Sequence, residues 1–308
     1  MTLQQLEYIV AVHRCRHFAK AAEQCGVTQP TLSALIQKLE TELGVKLFER
    51  SAQQVTPTLI GQKVVAQAEV VLTQAGRVKE LVKEEKHSLT GDFRIGILPT
   101  IAPYLLPRFF SRLRREHPET NLHVIELKTN ELLRRLREGE VDAAIVVDWG
   151  KMDEFEKTEL YYEQFVAYVS RESRLSACKA IRTADLASEP LWLLDEGHCF
   201  RDQLVKFCNL KSARESQMAY SLGSIETFMR MVESGQGVTF IPELALDQLT
   251  EQQKELVRPF ALPIPTRSIV LLTTRDFVRR SLHDLLVMSI MNSVPARMLK
   301  LNNTEQRV

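Results

Sequence analysis

Residues 21–50 read AAEQCGVTQPTLSALIQKLETELGVKLFER, and local signals in this stretch define a helix with both of its ends. Thr28 can accept a hydrogen bond from the first turn, and Pro30 suits that turn because no amide donor is needed there. Gly44 suits the position after the last turn, where the backbone is often left-handed. The apolar spacing between these ends predicts a buried face formed by Leu32, Leu35, Ile36, Leu39 and Leu43.

Two shorter helices are predicted before this one. Apolar residues at helical spacing run from Leu3 to Val12, with Thr2 as the N-cap. A short helix over residues 17–25 then ends at Gly26. The third helix follows after a short turn, and its outer face carries Gln29, Thr31, Ser33, Gln37 and Lys38. This order is typical of a helix-turn-helix, whose second helix enters the major groove of DNA.

The outer face of the third helix has side chains that suit DNA. Glutamine can pair with adenine edges, and serine and threonine hydroxyls reach base edges or phosphates. Lys38 and Arg50 supply positive charge for the phosphate backbone. The alternative is a small, solvated helical domain without a DNA partner, and the pattern alone leaves both interpretations open.

The 21–50 stretch, followed by VTPTLIGQ at residues 55–62, resembles the winged helix-turn-helix of LysR-type transcriptional regulators. The resemblance implies promoter binding through the matching positions of this stretch, namely Gln29, Pro30, Thr31, Ser33 and Arg50. One departure is visible in the wing, where Gln53 and Gln54 stand in place of the basic residue that many relatives carry.

The stretch from Thr58 to about His87 reads as one long helix. Its small apolar residues repeat at spacings of four and three, which predicts a narrow seam made by Val64, Ala68, Val71, Ala75, Val78 and Val82. A seam of this kind suits close pairing of two helices, although the helix could instead pack on its own domain. The family resemblance implies that this linker helix pairs two subunits.

Beyond the linker, predicted strands and helices alternate. Strands are predicted at 93–99, 121–128 and 141–147, with helices at 102–118 and 131–139 between them. This βαβαβ order predicts a parallel, buried sheet with helices on both faces. A second set of segments follows at 163–170, 190–196, 199–208, 218–222, 224–235 and 238–243, and the chain returns with 267–274 and a final helix near 282–291.

Two α/β lobes joined by crossing strands would form a ligand cleft at the carboxyl ends of the strands. The region resembles the effector domain of LysR-type regulators, which is similar to periplasmic binding proteins. The predicted fold class is therefore α/β, with a winged helix-turn-helix at 1–58, a dimerisation helix at 59–87 and a two-lobed, periplasmic-binding-protein-like domain at 88–308. Lobe I is expected at about 91–163 and 268–308, and lobe II at about 164–267.

Composition and charge favour an ordinary globular protein. The chain has 44% hydrophobic and 26% charged residues and a net charge of +1, so a nucleic-acid partner must be recognised through a local motif. The N-terminus lacks the features of a signal peptide, and no apolar run reaches the roughly 18 residues of a membrane span. We therefore expect a cytoplasmic protein without a membrane partner, in which the five cysteines are free at rest.

Two of these cysteines, Cys199 and Cys208, stand nine positions apart in GHCFRDQLVKFC. The preceding PLWLL predicts a strand, and the segment from Phe200 onward predicts a helix. Cys199 would then lie at a helix N-terminus, with Arg201 nearby, where a thiolate is favoured. A thiolate attacks peroxide and gives a sulfenic acid that can condense with a second thiol. The alternative treats Cys208 as a small buried hydrophobe beside Phe207 and Cys199 as incidental.

A disulfide between these two positions could not form within an intact helix. Nine residues of helix span ~13 Å and turn the two side chains to opposite faces, whereas a disulfide needs Cα atoms within roughly 7 Å. Oxidation would therefore have to unwind the segment, which would make the pair a conformational switch.

The cysteine segment, with SLGSIETFMRMVESGQGVTFIPE at 221–243 and RIGILPTIAPYLLP at 94–107, resembles the peroxide-sensing OxyR branch of the LysR-type regulators. The resemblance implies a reversible Cys199–Cys208 disulfide that alters promoter binding and activates transcription. It also implies peroxide-binding groups at Thr100, Thr129 and His198, with Arg267 as a further candidate. Each threonine could instead be a helix N-cap.

We therefore expect a transcription activator that senses hydrogen peroxide, uses no metal or cofactor and is not an enzyme. The expected partners are promoter DNA, hydrogen peroxide, RNA polymerase, a thiol-disulfide reductase and further copies of the chain, as a homodimer or homotetramer. A first alternative is a regulator of the same family that binds a small organic or inorganic anion in the cleft, with incidental cysteines. A second is a thiol peroxidase, which would consume peroxide and have no promoter affinity.

Overall fold

The computed structural model describes residues 1–50, 55–150, 152–195, 199–208, 224–235 and 237–308. The chain divides into two compact units, Met1–Lys86 and His87–Val308. None of the helices in these ranges combines the length and apolar character needed to cross a membrane.

The first unit is built on three helices, α1 (Leu3–Cys15), α2 (Phe18–Gln24) and α3 (Gln29–Leu43). The predicted ends are confirmed. Thr2 and Thr28 are N-caps whose hydroxyls accept from the first turns of α1 and α3, and Gly44 ends α3 in the left-handed region with φ of 69°. Leu32, Ile36 and Leu39 are fully buried against α1 and α2 as predicted, but Leu43 is 39% exposed because the core ends one turn earlier.

A two-stranded antiparallel wing and a long helix complete this unit. β1 (Phe48–Arg50) pairs with β2 (Val55–Pro57), and α4 runs over Leu59–Glu85 from the N-cap Thr58. A Cβ at Gly61 would lie 2.0 Å from the carbonyl oxygen of Leu47, so the close approach of α4 to the chain before β1 requires glycine here.

The predicted seam of α4 divides into two parts. Its first half packs on the unit's own core, where Ala68 and its neighbour Val65 are buried. Its second half presents apolar side chains to solvent, with Val78 63% and Val82 55% exposed. The interpretation of α4 as a helix packed on its own domain therefore applies to the first half alone.

The second unit contains the predicted parallel sheet. β3 (Gly91–Ile97) lies between β4 (Thr120–Glu126) and β5 (Ala143–Val147) and is parallel to both. The helices α5 (Ala102–Glu116) and α6 (Thr129–Arg137) make the two crossovers. β5 is buried at every position, as its unbroken apolar run predicts.

Two long strands connect the halves of this unit. β6 (Phe155–Val169) pairs antiparallel with β9 (Ile264–Thr274) over its first part and with β7 (Val238–Pro242) from Phe165 onward. The strand order is β4-β3-β5-β9-β6-β7, with β8 (Val257–Arg258) beside β6 and β10 (Glu305–Arg307) beside β9. The fold class predicted from the sequence is confirmed.

In the described part of the second unit, further α-helices and 3₁₀ helices pack around the sheet. They are α7 (Cys199–Phe207), α8 (Ile225–Glu233), α9 (Glu251–Lys254) and α10 (Arg280–Met291), with 3₁₀ turns at Arg174–Ala177, Thr183–Ser188, Glu243–Gln248 and Ala296–Leu299. The predicted segment 218–222 lies outside the described residues.

The strand predicted for PLWLL is wrong. Leu191 forms only an isolated bridge with Val238. The carbonyl of Trp192 accepts from the Thr239 hydroxyl at 2.9 Å and not from a backbone amide of β7. The bridge to Val238 therefore does not continue as a β-strand pairing.

Candidate thiol site and DNA-reading helix

Cys199 begins α7 and is 6% exposed. The residues that share its buried face are Phe200, Gln203 and Leu204. Helical hydrogen bonding continues to Cys208, whose amide donates to the Leu204 carbonyl at 2.8 Å. Both thiols are free and buried. The cysteine segment thus forms the predicted helix, and a regular helix of this length keeps the two thiols too far apart to bond.

A buried guanidinium lies beside the start of α7. Arg267 is 1% exposed in β9, and its charge is balanced by Glu163, the cross-strand neighbour on β6, at 2.7 Å. Its Nη1 donates to the Thr100 hydroxyl at 3.2 Å, and its Nη2, which also contacts Glu163, donates to the Thr100 carbonyl at 2.9 Å. The guanidinium carbon stands 5.0 Å from the centre of the Phe200 ring. The first residue after Cys199 is therefore packed on this cation.

Burial raises the pKa of the Cys199 thiol. The Thr129 hydroxyl, the Arg267 charge and the Phe200 amide oppose this effect and lower the pKa, but burial is larger. The expectation of a pKa lowered by the helix N-terminus is therefore wrong for this conformation. The cation that acts on the thiol is Arg267, whereas the guanidinium of Arg201 is directed to within 3.9 Å of its neighbour Asp202.

The two predicted threonines lie in this site and neither is an N-cap. Thr100 precedes α5 and accepts from Arg267. Thr129 is the first residue of α6, one position after the N-cap Lys128. Its hydroxyl oxygen is buried without a hydrogen bond of regular geometry to any described residue, although the group is close enough to lower the pKa of Cys199. His198 lies outside the described residues.

The second thiol has a simpler environment. Burial alone raises the pKa of Cys208 to about 12. The two cysteines therefore differ chemically, because polar groups and a cation act on Cys199 while burial alone acts on Cys208. Cys199 is the thiol that the site can activate.

Sequence reasoning missed Glu163, which is 1% exposed and holds Arg267 in place. The available signal was an acidic residue at the start of the apolar strand EQFVAYVS, because a charge in a buried strand needs a partner. Phe165 was missed as well, and its ring centre lies 4.8 Å from that of Phe200. Within the described ranges, no three His, Cys, Asp or Glu side chains are grouped to hold a metal ion.

The outer face of α3 is open to solvent. Gln29, Pro30, Thr31 and Lys38 are exposed, and Ser33 is half-buried. Arg50 is the last residue of β1, and the wing residues Gln53 and Gln54 lie outside the described residues. The start of α3, where a recognition helix meets base edges, therefore presents an amide and a hydroxyl.

Both units match families of known proteins. Residues 3–62 match the bacterial regulatory helix-turn-helix of the lysR family, and residues 86–290 match the LysR substrate binding domain. The chain therefore belongs to the LysR family of bacterial helix-turn-helix transcriptional regulators, and DNA is the partner that its first unit implies.

Within that family, the chain is similar to OxyR proteins over nearly its whole length. It is 34% identical to the DNA-binding transcriptional dual regulator OxyR of Escherichia coli K12, with 94% of this chain and 95% of that protein covered. A hydrogen peroxide-inducible genes activator of Dickeya chrysanthemi is 33% identical, with 98% and 99% covered.

Solved OxyR structures show the same fold. A full-length OxyR mutant of Pseudomonas aeruginosa is 36% identical with a TM-score of 0.75, covering 96% of this chain and 99% of that one. OxyR of Porphyromonas gingivalis is 48% identical with a TM-score of 0.67, covering 71% of this chain and 99% of that one.

Proposed function

We propose that this regulator activates transcription in response to hydrogen peroxide, and that Cys199 is the group that peroxide oxidises. The observation that carries the proposal is the buried thiol of Cys199 at the start of α7, where the Thr129 hydroxyl and the Arg267 charge both act to lower its pKa and the Arg267 guanidinium packs on the next residue, Phe200. These groups stabilise negative charge at the sulfur, and burial excludes bulky oxidants. The peroxide-inducible relatives support the same stimulus.

Oxidation proceeds in two balanced steps. The Cys199 sulfur attacks one peroxide oxygen, the O–O bond breaks, and the leaving oxygen takes a proton to become water while sulfenic acid remains. The Cys208 thiol then condenses with the sulfenic acid, forming the disulfide and releasing a second water. In our proposal Thr100, Thr129 and Arg267 hold the peroxide oxygens, and Arg267 neutralises charge on the leaving oxygen. His198 is proposed as a further donor.

The second step requires α7 to change conformation. The helical bond from the Cys208 amide to Leu204 fixes Cys208 on the side of α7 opposite to Cys199. Forming the disulfide therefore breaks helical hydrogen bonds and removes Cys199 or Cys208 from its buried position. This refolding is the event that we propose to alter promoter binding.

We propose that promoter DNA is contacted by Gln29, Pro30, Thr31, Ser33 and Lys38 of α3 and by Arg50 of β1. The exposure of Gln29, Pro30 and Thr31 at the start of α3 supports base contacts there, and the lysine and arginine would bind phosphates. RNA polymerase and a thiol-disulfide reductase that restores the free thiols complete the proposed set of partners.

The test is a peptide map of the reduced protein after a brief, stoichiometric dose of hydrogen peroxide. We expect a Cys199–Cys208 cross-linked peptide that dithiothreitol reverses, and a change in promoter affinity that accompanies it. Cys199→Ser should abolish both, while Cys178→Ser, at a partly buried cysteine outside the site, should change neither. Two free thiols at micromolar peroxide would reject the proposal, and a small anion bound in the cleft would then be the effector to seek.

We further propose that the second half of α4 pairs two subunits, because its exposed valines need a partner surface. Val78→Glu with Val82→Glu should raise the dimer dissociation constant at least about tenfold, since unpaired charges would be buried in the pairing surface. Sedimentation equilibrium measures this constant. Lys79→Glu, at an exposed position of the same helix, should change it by less than about twofold. Unchanged association of the double variant would place the interface elsewhere.

A further inference from the structure

One polar side chain on the buried face of α7 has no part in the proposed peroxide chemistry. Gln203 lies one helical turn after Cys199 and is 7% exposed. Its amide nitrogen Nε2 donates to the main-chain oxygen of Val308 at 2.7 Å. Its oxygen Oε1 is buried without a hydrogen bond to any described residue. The side chain therefore serves as a donor toward Val308.

The acceptor belongs to a segment that is fixed to the sheet independently of α7. We call residues 305–308 the β10 strap. Its strand pairs in parallel with the start of β9, and the Val308 amide donates to the Thr266 carbonyl at 3.1 Å. Arg307 forms an ion pair with the buried carboxylate of Asp148 at the end of β5. The strap thus lies alongside the start of β9, and its last residue contacts Gln203.

We propose that Gln203 is a positioning residue that holds α7 in its helical, dithiol conformation by attaching it to the β10 strap. The inference rests on the proposed Cys199–Cys208 switch. The disulfide requires α7 to unwind, and Gln203 lies inside the segment between the two cysteines. Unwinding this segment breaks the bond from Gln203 to Val308. The bond is therefore present in the dithiol form and absent from the disulfide form.

A contact made in only one of two states shifts the equilibrium between them by its own free energy. A buried hydrogen bond of this kind stabilises by about 1 kcal/mol, which corresponds to about a fivefold change in an equilibrium constant. Removing the donor should therefore shift the thiol-disulfide equilibrium about fivefold toward the disulfide. A residue that merely supports the fold would destabilise both forms alike and leave this equilibrium unchanged.

The experiment equilibrates the full-length protein in glutathione buffers, in which oxidised glutathione and the dithiol exchange to give two reduced glutathiones and the Cys199–Cys208 disulfide. The fraction oxidised is read by alkylation and mass spectrometry. Gln203→Met removes the donor and keeps the length of the side chain, and we expect it to raise the equilibrium constant about fivefold. Lys206→Met, at an exposed position of α7, is the matched control and should leave the constant within about twofold.

A second variant tests the strap itself. Arg307→Met removes the ion pair to Asp148 and should shift the equilibrium in the same direction as Gln203→Met. In the double variant, the increase in the thiol-disulfide equilibrium constant should be smaller than the product of the two single increases. The reason is that each substitution weakens the same attachment of α7 to the strap. A fully multiplicative combination would show two unrelated effects and would overturn the coupling.

The possible failures are distinguishable. If the wild type forms no Cys199–Cys208 disulfide, the proposed function fails and this inference fails with it. If the wild type forms the disulfide and Gln203→Met leaves its equilibrium constant within about twofold, the switch stands and the strap inference alone is rejected. An equal shift of the equilibrium constant in Lys206→Met would also reject the strap inference, because a change in the helix propensity of α7 would then explain both shifts.

Discussion

The double variant Arg267→Met with Glu163→Gln is expected to react with hydrogen peroxide about 100-fold more slowly than the wild type. Arg267 is the cation that lowers the pKa of Cys199 against the effect of burial, and in our proposal it neutralises charge on the leaving oxygen. Changing Glu163 at the same time avoids a buried, unpaired carboxylate. Stopped-flow measurement of thiol loss under excess peroxide gives the rate constant.

The pH dependence of this rate follows from the thiolate. Burial raises the pKa of Cys199, so the thiolate fraction and the rate increase with pH until that pKa is passed. Loss of the Arg267 charge raises the pKa further and should move the profile of the double variant to higher pH. Glu163→Gln alone is the control. It removes the negative charge that balances Arg267 and leaves the positive charge in place, so the rate profile should move to lower pH. A double variant within about threefold of the wild type at every pH would contradict the role given to Arg267.

Glu163→Leu is expected to lower the free energy of unfolding by about 3–5 kcal/mol. The substitution leaves the guanidinium of Arg267 buried without its counterion, and it removes the acceptor of the Leu244 amide, which donates to Glu163 at 3.0 Å. Urea denaturation followed by circular dichroism measures the change. Glu159→Leu makes the same substitution at an exposed position of β6 and should cost less than about 1 kcal/mol.

A rescue variant separates the charge from the packing. Adding Arg267→Met to Glu163→Leu replaces the buried pair by two apolar side chains, and we expect this to restore more than half of the lost stability. If the double variant were less stable than Glu163→Leu alone, the penalty would come from side-chain shape and not from an unpaired charge.

Local sequence signals were sufficient for most of the elements. The caps Thr28 and Gly44 define both ends of α3, and the unbroken apolar run of β5 indicates a buried parallel strand. These features depend on a few neighbouring residues, so they can be predicted from the chain alone. The strand prediction for PLWLL failed because strand pairing depends on a partner that is distant in sequence. Here the Thr239 side chain, and not a backbone amide of β7, donates to the Trp192 carbonyl.

The site was less predictable because its interactions are long-range. The family resemblance supplied Thr100, Thr129 and Arg267. The ion pair that holds Arg267, however, joins residues 104 positions apart, and the residues next to Glu163 in sequence do not indicate its partner. The direction of the Cys199 pKa was missed for a related reason. Helix position can be deduced from sequence, whereas the depth of burial that outweighs it depends on the whole packed unit.

The thiol site lies where β6 changes its pairing from β9 to β7. Glu163 pairs with Arg267 on β9, and two residues later Phe165 pairs with Pro242 on β7, so the ring that touches Phe200 stands at the junction of the two halves of the sheet. A rotation of about 5° at such a junction displaces an atom about 20 Å away by about 2 Å. Loss of the contact between Phe165 and Phe200 would therefore act at the point of the sheet where a small rotation has its largest effect on the far edges.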